Sequence, residues 1–139
     1  MRNQKSRVGT RRVRISEKEV NGWNIETRVK PFIDANIIVV EVGTNGYREG
    51  DTGHGCRTYF SIRDDGGTDL SCSISDGRKQ ADMSRCEEII ITLGGGAELL
   101  TFIEALKFAV ETLEWQMEKN KGKSEHFCTN KRLSELKKT

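Results

Sequence analysis

Proline is almost missing from this chain: Pro31 is the only one among 139 residues. A proline-rich recognition segment or a stiff proline linker is thereby excluded. Aromatic residues are also few, with two tryptophans, two tyrosines and five phenylalanines, so a broad base-stacking platform has little to be built from. No apolar run approaches the roughly 20 residues of a membrane-spanning helix. The basic start has no apolar stretch behind it, which argues against a secretory signal. The four cysteines, Cys56, Cys72, Cys86 and Cys128, form neither a CxxC pair nor a Cys/His set at zinc spacing. They read as reduced thiols filling small spaces in a cytoplasmic protein. His126 and Cys128 stand two apart without a second pair, so neither a metal nor a cofactor is expected.

An excess of one charge is absent too. Lysine and arginine number 23 against 21 acids, for a net charge of +2. Bulk charge therefore calls for neither a nucleic acid nor a membrane surface, and any such argument rests on local clusters. One cluster stands out. Met1 to Arg14 carries Arg2, Lys5, Arg7, Arg11, Arg12 and Arg14 without an acid. It reads as a basic arm, either solvated or phosphate-seeking, since guanidinium groups grip phosphate oxygens in pairs. Val8, Val13 and Ile15 leave room in it for a short strand. Residues 15–139 have the length of one domain.

What is present is mostly strand signal. Asn21-Gly22 is a two-residue hairpin turn, followed by strict alternation of Trp23, Ile25, Thr27 and Val29 with polar residues. Pro31 and Asp34-Ala35-Asn36 are expected to mark a turn. Ile37 to Val42, apolar on both faces except at Glu41, reads as the central strand. Thr58, Phe60 and Ile62 alternate in the next strand, and Asp64-Asp65-Gly66-Gly67 reads as the turn to a partner strand carrying Leu70, Cys72 and Ile74. Asp76 to Arg85 is expected to be a polar loop, and Glu88 to Leu93 the last strand. After Gly94-Gly95-Gly96 comes one long helix, with Leu99, Ile103, Leu106, Val110, Leu113 and Met117 at spacings of four and three. Glu98 in its first turn already suits the helix dipole. Phe102, Ala105, Ala109 and Trp115 widen the apolar face beyond what one sheet usually covers, so it reads as a long core helix with a broad stripe or as a helix with one edge packed on a second subunit. A short helix over about Thr129 to Lys137 closes the chain. The order predicts an α+β fold: an antiparallel sheet of about five to six strands, then the long helix packed on a face.

Chemistry is expected in two neighbouring glycine-punctuated loops, Gly43-Thr44-Asn45-Gly46-Tyr47 and Gly50 to Thr58. Glycines admit positive φ and bring backbone N–H groups close to a ligand. Between and beside them stand Asn45, Tyr47, Asp51, Thr52, Gly53, His54, Gly55, Arg57, Thr58 and Tyr59, a set of hydroxyls, a carboxylate, an imidazole and a guanidinium suited to a phosphorylated ligand. The pattern is neither GxxxxGK[ST] nor GxGxxG, and no helix follows it directly. The alternative at the same residues is a wide hairpin in which Asp51 caps a turn.

The segments Asn21-Gly22-Trp23-Asn24-Ile25-Glu26-Thr27, Glu41 to Tyr47, Gly50 to Phe60 and Glu98 to Leu106 resemble those of a family of small phage proteins, the first family of anti-Thoeris sponges. The likeness covers most of the chain and omits the basic arm. It implies an α+β oligomer in the host cytoplasm that binds cyclic ADP-ribose isomers made by bacterial TIR-domain proteins. Such proteins hold the signal without cleaving it, which silences the downstream effector; some also take up cyclic oligonucleotides at a separate site. For a ligand of that kind, Arg57 and the loop N–H groups would serve the pyrophosphate, Asp51 and Asn45 the hydroxyls, and Tyr47, Tyr59 or Trp23 the base. Two other readings compete. A single-stranded nucleic-acid module would use the arm and a face bearing Arg57, Tyr59, Ser61 and Arg63. A small phosphoester hydrolase would pair Asp51 with His54, although no serine stands in a GxSxG elbow.

Overall fold

A computed structural model describes residues 7–46 and 55–121. Within them the chain is α+β. Strands β1 (Gly9–Thr10), β2 (Arg14–Val20), β3 (Trp23–Ile33), β4 (Ile37–Thr44), β5 (Arg57–Gly66) and β8 (Glu88–Gly94) form one antiparallel sheet. Its order is β1/β2, β3, β4, β5, β8. Among the described residues, strands β6 (Cys72–Asp76) and β7 (Lys79–Met83) pair only with each other. Helix α1 spans Gly96–Lys119. The expected helix over Thr129 to Lys137 lies outside the described residues. No described helix is long and apolar enough to cross a membrane.

The β2–β3 hairpin forms where Asn-Gly announces it. Asn21 and Gly22 both take positive φ, 49° and 84°, the geometry whose twist matches the flanking strands. Strand β3 then runs straight through Pro31, where a turn was expected. The correction has a local cause. Thr10 faces Phe32 and Arg14 faces Val29, so three arm residues, 11–13, lie opposite only two of β3. The edge ladder lapses beside the one residue that has no N–H to offer, and a proline is tolerated at such a bulge. The same bulge leaves Arg11 and Arg12 exposed.

Two further expectations are corrected. The partner of β5 is β8, not the strand at Cys72, and Asp76 to Arg85 is not one loop: it holds the turn and second strand of the β6–β7 hairpin. The segment after β5 turns away because Asp64 ends the straight run. Its Oδ1 accepts from the N–H groups of Gly66 (2.9 Å) and Thr68 (3.1 Å). These bonds, chiefly that from Gly66, hold the Asp64 carboxyl below the usual carboxylate range.

Register places Ile25, Thr27, Val29, Val39, Glu41, Tyr59, Ser61 and Arg63 on one face of the sheet. At one end of that face Val20, Ile25 and Tyr59 form a buried cluster. Its middle is polar yet satisfied: the Thr27 hydroxyl donates to Glu41 (2.7 Å) and the Ser61 hydroxyl to Glu88 (2.9 Å). Lys18 lies 3.8 Å from Glu41. The apolar stripe of α1 is present as expected. Leu106, Val110, Leu113, Trp115 and Met117 are all exposed.

Candidate functional site

Antiparallel pairing gathers three connections at one end of the sheet. They are the Asn21-Gly22 turn, the loop joining Thr44 to Arg57, and the Gly94-Gly95 turn into α1. The long loop rises from a built stem. Asn45 Oδ1 accepts from the Arg57 N–H (2.8 Å), and its Nδ2 donates to the Gly55 carbonyl. Its own N–H donates to the Arg57 carbonyl (3.3 Å). One side chain thus bridges both sides of the loop at its root. Beside it the Thr58 hydroxyl donates to Thr44 Oγ1 (3.0 Å). Gly46 leaves the stem with φ of 88° and open space around it, a geometry that favours glycine.

Arg57 connects the loop to the helix turn. Its Nη1 donates to the Cys56 carbonyl (2.9 Å), which also accepts from the Gly95 N–H (2.9 Å). The guanidinium lies against Gly94, where an added Cβ would stand 3.4 Å from Nη1. The Glu98 carboxylate folds back over Gly95, as the third helical residue does in a capping box.

The expected site residues therefore separate into three groups. Asn45, Gly55, Arg57 and Thr58 are brought together, with Asn45 and Thr58 engaged in holding the stem rather than offering free polar groups. Trp23 begins β3 at the same end of the sheet and is 38% exposed. Tyr59 is corrected as a stacking residue: it is 7% exposed and packs with Val20 and Ile25. Burial, then the charges of Glu88 and Glu41, push its phenol above the ordinary value. Tyr47, Asp51, Thr52, Gly53 and His54 lie outside the described residues. Among the described residues no group of three or more His, Cys, Asp or Glu is gathered to hold a metal ion.

Replacing Asn45 by alanine removes both side-chain bonds of the stem. The expected loss is about 1–2 kcal/mol of stability at roughly 1 kcal/mol per net hydrogen bond, read as a lower urea midpoint. Asn45→Asp is the informative partner variant: it keeps the acceptor for the Arg57 N–H but sets a carboxylate oxygen against the Gly55 carbonyl, so the Gly55 side of the stem should open.

The sequence reasoning missed a second feature at the opposite end of the sheet. Arg11, Arg12, Arg14 and Arg63 line a cleft of about 460 Å³ whose floor is Val29, Pro31, Ile33, Ile37 and Val39, with Asp65 at its rim. Arg63 is 3.8 Å from Asp65. The signal was visible in part: the basic arm was noted, but its bulge over β3 was not, and that bulge brings the arm's arginines to Arg63. Arg57 and Arg63 stand six positions apart on β5, about 20 Å at the rise of an extended strand, so loop and cleft are distinct places.

No family model matches the chain, and neither a curated protein nor a solved structure matches it.

Proposed function

We propose that this chain is a non-catalytic binding protein that sequesters a cyclic nucleotide-type immune signal, a cyclic ADP-ribose isomer, and so blocks bacterial anti-phage defence. The observation that carries this reading is the loop stem. Asn45 ties Gly55 and Arg57 together, which holds ready the base of a glycine-rich loop beside the guanidinium of Arg57. A pre-ordered loop root lowers the entropy lost on binding. Trp23 at the same end offers an accessible ring. On this reading the protein works in the host cytoplasm as a homo-oligomer, and the ligand is held intact. Calorimetric titration with cyclic ADP-ribose isomers, with linear ADP-ribose as control, should give saturable binding to at least one isomer. Heat-denaturing the complex should release that ligand unchanged. Binding to none would sink the proposal, and recovery of a hydrolysed product would turn it into the phosphoesterase reading.

The arginine cleft favours a second reading, a sequence-independent nucleic-acid contact. Four guanidinium groups above an aliphatic floor can follow backbone phosphates, whereas Tyr59, the ring named for base stacking on the same face, is buried. Binding of a labelled single strand should then weaken with salt. Removing Arg11, Arg12 and Arg14 should lower the salt slope by about one for each arginine. A slope unchanged by the triple substitution excludes the cleft as the contact.

A further inference from the structure

Among the described residues, the β6–β7 hairpin is bonded to no other strand. All of β7 is exposed, and so is β6 except at Cys72; its apolar Ile74 stands 65% exposed. A two-stranded hairpin is marginal in water by itself, so the closure of its base decides whether it stays paired. That base is built around two cysteines. Cys72 opens β6 opposite Met83. Cys86, three residues beyond Met83, donates its N–H to the Leu70 carbonyl (2.9 Å), and its Sγ lies 3.5 Å from the same oxygen. The Cys72–Met83 pair and the Cys86–Leu70 bond thus set both cysteines at the same closure of the hairpin. Both are half-buried, whereas Cys56 is fully enclosed. Among the described cysteines, these two alone share one closure of the fold and stay accessible to a small reagent.

We propose that Cys72 and Cys86 form a thiol–disulfide exchange site, which a small disulfide of the glutathione class converts into an intrachain bond closing the hairpin base. In the first step the Cys72 thiolate attacks one sulfur of the reagent, forming a mixed disulfide and releasing one small thiolate. In the second the Cys86 thiolate attacks Sγ of Cys72, forming the Cys72–Cys86 bond and releasing the second small thiolate. The protein gives up two electrons and two protons, and the reagent disulfide leaves as two thiols. Cys86 is assigned the resolving role because its N–H and its thiol both bond the Leu70 carbonyl, and a thiol that donates to a carbonyl keeps its proton. The bond would enclose residues 72–86, fixing a hairpin that the main sheet does not support. Nothing in this depends on the loop site or on the ligand proposed for it.

The test equilibrates the full chain with reduced and oxidised glutathione, quenches in acid, alkylates, and maps the peptides by mass spectrometry. The expected product under oxidising ratios is a Cys72–Cys86 crosslink, retained in Cys56→Ser and Cys128→Ser and lost in Cys72→Ser and Cys86→Ser. In Cys86→Ser, Cys72 should stop at the glutathione mixed disulfide. A second measurement follows trypsin cleavage at Arg78 and Lys79 in the hairpin turn, which the crosslink should slow by roughly tenfold or more by depleting the open form. Stable mixed disulfides on both cysteines without a crosslink, or preferential pairing of either with Cys128, would overturn the proposal. So would a crosslink that leaves the cleavage rate unchanged, because the bond would then not close the hairpin.

Discussion

Gly43→Ala is expected to destabilise the sheet by about 3 kcal/mol or more, at the upper end of what overpacking produces. Gly43 lies on β4 opposite Tyr59 of β5. A Cβ built there would collide with the Glu26 carbonyl oxygen and stand 2.9 Å from both Cα and Cγ2 of Thr27. Two of those three atoms are backbone, so no rotamer change relieves them; β3 and β4 would have to part. Thr27 is fully buried and bonded to Glu41, so parting the strands also breaks the polar middle of that face. The damage reaches the site by continuity, because Thr44 and Asn45 follow Gly43 directly. Gly46→Ala is the matched control. It meets open space and carries only the strain of a positive φ, about 1–2 kcal/mol. Urea denaturation of the two variants decides the matter: equal midpoints would mean that β3 and β4 do not approach so closely at Gly43.

The contrast between those two glycines shows what the sequence could and could not convey. Local signals were legible where one rule acts alone. Asn21-Gly22 dictates its turn, the alternation from Trp23 dictates β3, and spacings of four and three dictate α1. Pairing was less legible, because it is decided between distant segments. Nothing local tells that β5 prefers Glu88–Gly94 to the strand at Cys72, since both segments are strand-forming and both follow polar residues. Pro31 misled for a related reason: a proline forbids one hydrogen bond, and whether that ends a strand depends on whether the neighbour needs it. The arm's bulge at residues 11–13 removes the need. At the site, Asn45 and Arg57 were named from composition and do come together. Tyr59 was named from its place beside the loop, but its register opposite Gly43 turns it to the buried face. The cleft was missed because it joins Arg63 to arginines some fifty residues earlier in the chain, and only pairing through β3 and β4 brings them close.

On the homo-oligomer proposed above, paired substitution of Leu106 and Leu113 by glutamate is expected to yield monomers while leaving the sheet folded. Leu99, Ile103, Leu106, Val110, Leu113 and Met117 alternate at four and three residues, the repeat that keeps an apolar seam aligned between two supercoiled helices. Ile103, Leu106, Val110, Leu113 and Met117 of this seam are exposed, Leu113 to 66%. An uncovered seam of this length is a large apolar patch for a monomer, and a second copy of the same helix supplies a matching surface by symmetry. Each buried leucine contributes about 1.5–3 kcal/mol, and two copies present each position twice, so the double substitution removes the core of the interface and inserts like charges. Neither side chain belongs to the buried core of the sheet, so circular dichroism of the strands should be preserved. Sedimentation or light scattering reads the mass. A wild-type chain that is already monomeric at working concentration would contradict the oligomer, and an unchanged assembly in the double variant would move its interface away from α1. If the ligand site is completed across subunits, binding should fall together with mass; if it is complete within one chain, the monomer should bind as tightly as the assembly.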